Sequence, residues 1–256
     1  MIDVIVINYN YADYVISLLN SLNDCQRTSS IFQKIICVDN NSTDNSKQYL
    51  KSWFENRPFG YTCCFLEKNS GYSFAVNQGA RLGDSQYIMI LNADMLVLDN
   101  FWKEKFLKVF NLNLGVGVVG CKLVDQYGKV VGAGTVGTFH KREFRAYGVN
   151  DSDNPNDIFN QQAECINVCG ACYMVKRKVF EKLGGFDEDF FMYHEEEYFS
   201  FKVQKILDMK VIYTPSVKFL HYSGVHKATN ESRYIKRAGQ MFVKKCKQEL
   251  GLEVLP

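Results

Sequence analysis

The stretch QYIMILNAD, residues 86–94, is an apolar run that stops at Asn-Ala-Asp. It leads into Phe101–Phe110, where apolar residues recur at helical spacing, so the two segments read as strand then helix. Towards the N-terminus the same unit recurs. DVIVIN (3–8) precedes Val15, Leu18, Leu19 and Leu22; KIICVD (34–39) precedes Tyr49, Leu50 and Trp53; YTCCFLE (61–67) precedes Gly71–Leu82. Ser42 and Asp44 read as caps of the second helix. Four strand–helix pairs in order predict an α/β chain with a mostly parallel sheet and helices on both faces. Ligands of such sheets collect at the carboxyl ends of the strands. Those ends carry Asn8 and Asn10, Asp39–Asp44, Glu67–Gly71 and Asn92–Asp94. Solvent-facing turns do not require carboxylates along one edge, and this repetition is the first sign of function.

From about residue 116 the alternation breaks down. GVGVVGCKLVD and GKVVGAGTVG predict a glycine-rich hairpin, and residues 139–161 a polar stretch with an exposed loop. A strand (ECINVCGACYMV, 164–175), a short helix (RKVFEKLG, 177–184) and a strand pair (KVIYTPSVKFLHY, 210–222) follow, then a basic helix from Asn230 to Leu250. Without repeats or a linker, the expectation is one domain over 1–256. Its nucleotide-binding half spans 1–115, its acceptor and catalytic half 116–228, and its C-terminal helix 229–256.

Composition narrows the class. The chain has 256 residues, and Lys+Arg 30 against Asp+Glu 28 leaves +2, so no overall field draws in nucleic acid or membrane. The N-terminus lacks a basic leader, and no run approaches the roughly 18 apolar residues of a membrane helix. A soluble, cytoplasmic protein is expected. The 9 cysteines, an odd number among apolar neighbours, suit reduced thiols better than a disulfide framework. CINVCGAC (165–172) has the C-x3-C-x2-C spacing of some iron–sulfur enzymes. It reads instead as a strand with Cys165, Asn167 and Cys169 on one face.

Seven motifs in order, VINYN, VDNNSTDNS, NSGYSFAVNQG, LNAD, GACYMV, GGFDEDFFMYHEE and HYSG, resemble the inverting glycosyltransferases of family 2. The resemblance runs from Val4 to about Gly224. It implies the GT-A fold, a Rossmann-like, mostly parallel central sheet flanked by helices, with a smaller acceptor-side subregion. It also implies transfer from a nucleotide-sugar donor to a hydroxyl of a glycan, lipid-linked or protein-linked acceptor, with Mn²⁺ or Mg²⁺. By this resemblance Asp94 is a metal ligand in a D-x-D position whose first acid is Asn92, and Ala93 lies between them at the donor. Asp39 meets the nucleoside, Asn8, Tyr9 and Asn10 frame the base, and Asn41, Asn69, Gly71 and Asn77 are further donor contacts. Gly170 and Ala171 border the sugar. Glu196 aligns with the base, with Glu195 beside it, and His221 with the histidine near the diphosphate or metal. VDNNSTDNS and LNAD lean towards a rhamnosyltransferase-like subgroup, implying dTDP-rhamnose, with a UDP-sugar as the other donor.

The chemistry suits these residues. A diphosphate leaving group needs a cation to offset its developing charge, and Mg²⁺ or Mn²⁺ takes carboxylate and phosphate oxygens. An inverting transfer needs a base for the acceptor hydroxyl. Three successive acids at a helix start point in different directions, so only one or two can face a pocket. The family pattern continues with an Asp two residues after the base and an Arg four beyond that; here these are Tyr198 and Lys202. An acid–guanidinium brace is therefore missing or rebuilt, which keeps open the alternative of a catalytically degenerate nucleotide-sugar-binding subunit. The basic C-terminal helix is read as a solvated charged face. The competing reading is peripheral membrane contact, suited to a lipid-linked acceptor.

Overall fold

The computed structural model describes residues 1–29, 31, 33–55, 57, 60–222 and 231–255. The first half follows the expected alternation: β1 (Ile2–Asn8), α1 (Ala12–Thr28), β2 (Gln33–Asp39), α2 (Ser46–Phe54), β3 (Tyr61–Phe65), α3 (Tyr72–Arg81), β4 (Tyr87–Asn92) and, after a short β5 (Met95–Val97), α4 (Trp102–Leu112). The second half comprises β6 (Val116–Val124), β7 (Lys129–Gly132), β8 (Thr135–Gly137), β9 (Arg142–Phe144), β10 (Val149–Asn150), a 3-10 turn at Ile158–Asn160, β11 (Ala163–Cys165), β12 (Cys172–Lys176), α5 (Arg177–Lys182), α6 (Glu195–Leu207), β13 (Lys210–His221) and α7 (Glu231–Leu250).

The main sheet runs β10-β7-β6-β12-β4-β1-β2-β3, with β13 beside β6 and linked to β5 and β11. β1 pairs in parallel with both β2 and β4, and β2 with β3. Strands covered on both faces read as near-continuous apolar runs; β1 and β4 do so apart from their closing asparagines and the buried Asp3, which pairs with Arg177 and Ser85. Val4 and Val6, with Met89 and Leu91, face α1, α2 and α4 through Leu18, Leu50 and Phe106. Ile5, Ile7, Ile88 and Ile90 face α3, α5 and α6 through Val76, Phe180 and Phe199. A third apolar cluster seats α7 on α6 through Phe201, Ala238, Phe242 and Cys246.

The hairpin read near residue 116 is β6–β7. Two expectations are corrected. KVIYTPSVKFLHY is one strand, β13, with an irregularity between Thr214 and Lys218. Pro215 lies in that interval and lacks the N–H needed to continue the ladder. ECINVCGACYMV is two strands: β11 ends at Cys165, residues 166–171 leave the ladder apart from one bridge at Asn167, and β12 begins at Cys172. The three thiols go separate ways. Cys165 packs beneath Gly134, and Cys172 lies 3.3 Å from Cys121 on the facing strand. Burial holds the Cys169 thiol protonated, pushed up to about 12.

Candidate active site

The parallel register fixes the edge expected to meet the donor, because Asn8 and Asp39 are partners at the ends of β1 and β2. Both are fully buried. Asn8 Nδ2 donates to Asp39 Oδ1 at 2.9 Å and to Ser42 Oγ at 3.1 Å. Ser42 donates to the same carboxylate through its Oγ (2.5 Å) and its backbone N–H (3.0 Å), and accepts from the Asn10 N–H. The Asp39 carboxylate is thereby held by neutral donors. Asn8 Oδ1 has no partner among the described residues; a buried acceptor left unmet costs about 1–3 kcal/mol.

Two left-handed asparagines shape the neighbouring turns. Asn10 (φ 61) accepts the Thr43 N–H, and Asn41 (φ 65) accepts the Lys47 ammonium at 2.8 Å. Tyr9 is exposed. Asn69 Oδ1 accepts from the Asn40 side chain and the Gly71 N–H.

At the next edge, β13 sets the geometry. His221 is the register partner of Met95, and the Tyr222 N–H donates to the Asp94 carbonyl. The His221 Nε2 and Asp94 Oδ2 atoms consequently stand 3.6 Å apart, both largely buried. Among the described residues no group of three or more His, Cys, Asp or Glu converges as a metal site. One carboxylate and one imidazole fit a divalent ion whose remaining ligands are phosphate oxygens and water, since Mg²⁺ sites at phosphates use few protein ligands. Beside them, the Tyr72 hydroxyl donates to Asn92 Oδ1 at 2.8 Å and also lies 3.3 Å from the Gly170 carbonyl. Burial, then the charges of Glu195 and Glu196, push this phenol well above its ordinary range, so it remains a donor.

The third edge is the start of α6. Tyr193 (φ 73) and His194 (φ 66) are consecutive left-handed residues. Each costs roughly 1–2 kcal/mol, and together they turn the chain so that Glu195, Glu196 and Glu197 form the first helical turn. Glu196 lies against Gly170, where a Cβ would stand 3.0 Å from its Cγ and 3.1 Å from its Cδ. Burial and then the neighbouring Glu197 raise the Glu196 carboxyl, while His194 and the Asn167 side chain oppose the rise. Asn167 is fixed by a relay in which Tyr173 bonds Ser200 (2.9 Å) and Ser200 donates to Asn167 Oδ1 (2.9 Å). Glu195 is more deeply buried, and its Oε2 has no partner among the described residues. Burial and the Glu196 charge push it well above the carboxylate range.

Glu197 is placed differently. Arg142 Nη1 lies 2.8 Å from its Oε1, and His194 Nδ1 lies 2.9 Å from its Oε2. The residues at and around the positions of the family brace bond to distant segments. Tyr198 donates to Glu249 of α7 at 2.5 Å, Lys202 to the Leu183 carbonyl at 2.9 Å, and Lys245 pairs with Asp187 and Asp189.

Several expected roles shift. Asn77 has its amide bonded to Phe186 and Glu188, clipping α3 to that turn. Gly71 (φ 94) is required by protein: a Cβ there would meet the Phe191 carbonyl at 2.6 Å. Ala93 and Ala171 place their methyls in the core, and the Ala171 carbonyl accepts the Asn92 N–H. Ser42 is no helix cap; it holds Asp39, and Asp44 alone bonds the first N–H of α2. On α7, Ala238, Phe242 and Cys246 are buried while Lys236, Arg237, Lys244 and Lys247 face solvent. Ser223, Gly224, His226 and Asn230 lie outside the described residues. Asn40, Tyr72, Arg142 and Asn167 were missed; Asn40 and Tyr72 sit inside quoted motifs, directly beside residues that were chosen.

A mostly parallel central sheet flanked by helices, with polar clusters at its carboxyl edge, has the GT-A fold. The chain belongs to glycosyl transferase family 2, whose model matches residues 3–184. It is 30% identical over 161 residues to the O-antigen biosynthesis protein RfbC of Myxococcus xanthus, covering 61% of this chain and 12% of that one. It is 23% identical over 239 residues to the low-salt glycan biosynthesis hexosyltransferase Agl10 of Haloferax volcanii, covering 91% and 71%. The mannosyltransferase PcManGT from Pyrobaculum calidifontis, solved with GDP-Man and Mn²⁺, has a TM-score of 0.68 at 20% identity, over 97% of this chain and 64% of that one. At that identity the likeness is one of fold. The chain spans 12% of RfbC's length and just under two thirds of PcManGT's.

Proposed function

We propose that the protein transfers a sugar, with inversion at the anomeric carbon, from a nucleoside diphosphate sugar to a hydroxyl of a glycan or glycoconjugate. The observation that carries this reading is Glu196, a partly buried carboxylate in the first turn of α6, which with Asp94 acts on the buried Tyr72 hydroxyl while His221 stands beside Asp94. The raised proton affinity of Glu196 suits a base near neutral pH. Glu195 lies beside it, and burial raises the proton affinity of both carboxyls, so the two acids titrate as a pair. Glu196 takes the proton of the acceptor hydroxyl as that oxygen attacks the sugar carbon.

On the donor side, the unmet Asn8 Oδ1 suits a base N–H, and Asp39, locked by Ser42, suits a ribose hydroxyl or base N–H. Asp94 and His221 are the residues that would hold Mn²⁺ or Mg²⁺. A bound ion there offsets the charge of the leaving diphosphate. Tyr72 fixes Asn92 next to them. PcManGT with GDP-Man and Mn²⁺, and GalNAc-T7 with UDP, GalNAc and Mn²⁺, support a nucleotide-sugar and metal reading at the level of fold. The donor proposed is dTDP-rhamnose or a UDP-sugar, in the rhamnosyltransferase-like manner.

Purified protein with Mn²⁺, offered a donor panel and glycan acceptors, is expected to release dTDP or UDP and form product of inverted anomeric configuration. Full transfer by both Glu196→Gln and Asp94→Ala would defeat the site assignment. Donor binding without turnover on every acceptor would favour a degenerate binding subunit.

A further inference from the structure

We propose that Arg142, carried across from β9, is a positioning residue for the acids of α6: it neutralises Glu197 and locks the first helical turn so that Glu196 stays against Gly170. This rests on Glu196 being the base of the transfer proposed above. Arg142 and Glu197 are only 15% and 12% exposed, and their atoms stand 2.8 Å apart. The guanidinium lies over the Phe242 ring at 5.1 Å, and its Nη2 donates to the Leu255 carbonyl. Arg142 is thus fixed from three directions. The second oxygen of Glu197 is taken by His194, whose ring stacks on the same Phe242. With both its oxygens tied to these partners, Glu197 is kept off Gly170, and the residue before it is the one that meets that glycine.

The groups around Glu196 come from several elements. Glu195, Glu197 and His194 belong to α6 and its cap; Tyr72 comes from α3; Asn167, Cys169 and Tyr173 come from the segment entering β12. Burial holds Tyr72, Cys169 and Tyr173 protonated. The like charge that raises Glu196 most is Glu197, and Arg142 is the guanidinium that answers it.

Carboxyl ¹³C NMR titration of glutamate-labelled protein needs no substrate, and Glu196 is assigned by the signal lost in Glu196→Gln. Arg142→Gln is expected to raise the Glu196 midpoint by about one unit, because Glu197 loses its strongest partner. Glu197→Gln is expected to move it the opposite way, and the double variant to return it near the wild-type value. Arg142→Lys keeps the charge and should leave the midpoint nearly in place. The acidic limb of kcat/KM should move with the same signs, which a merely structural residue would not produce. An unmoved midpoint in Arg142→Gln overturns the proposal, as does a double variant that stays at the Arg142→Gln value. If Arg142→Gln does not fold, Glu197→Gln decides: no downward shift overturns it. NMR shifts of the expected signs in a protein that transfers no sugar would uphold the role of Arg142 and defeat the proposed reaction.

Discussion

The donor edge and the α6 edge hold their carboxylates in opposite ways. Asp39 is gripped by neutral groups, Asn8 and Ser42, from two adjacent strand ends. Glu197, Asp187 and Glu249 are gripped by cations and a phenol brought from β9, α6 and α7. A neutral local grip follows directly from strand register. A charged, long-range grip depends on where distant segments dock, and losing Arg142 would strand the largely buried charge of Glu197.

The comparison breaks first at the base. Glu196→Gln is expected to lower kcat by about 10²–10⁴-fold with little change in donor affinity, read by steady-state transfer assays. A larger change in donor KM than in kcat would move Glu196 to the donor edge. Next comes the joint between the edges. Gly71→Ala should destabilise the fold by about 2 kcal/mol or more in urea unfolding, since it forces a left-handed alanine against the Phe191 carbonyl. Tyr198→Phe should cost about 1.5 kcal/mol by the same measurement, through the bond to Glu249, and leave donor KM unchanged. Ser42→Ala should do the reverse, raising donor KM several-fold, about 1 kcal/mol, with little loss of kcat.

The smallest effect concerns a charged grip outside both edges. Burial alone would raise Asp151, but its bonds to Lys122 and Lys218 bring it below the ordinary carboxylate value. A depressed folded value stabilises above the unfolded pKa, near 4, and that stability is lost as pH falls through the lower folded value. Urea midpoints measured from pH 5 to pH 2 should fall less steeply in Asp151→Asn than in the wild type.

The same contrast explains what was legible. Apolar runs buried on both faces announce parallel strands, and the polar residue closing each run lands on one edge, as Asn8 and Asp39 do at paired positions. The register that brings His221 to Asp94 is not written in either segment, and motif order alone suggested it. Ser42 was mistaken for a cap because serine before a helix ordinarily is one. Asn77 and Gly71 lay in a donor-like motif, yet serve the 186–191 turn, a contact more than a hundred residues away in sequence. Arg142 was invisible because nothing near it marks a partner in α6. The break in β11–β12 escaped because CINVC alternates well enough for a strand.

The matched family segment, residues 3–184, ends before α6. For anyone recombining such enzymes, the molecule therefore has two kinds of transplantable part. The edge formed by β1 and β2 could be exchanged as a cassette, because Asn8, Asp39 and Ser42 bond one another. The acids of α6 would have to travel with the β8–β9 hairpin and with α7, or arrive in the recipient without the charges that hold them in place.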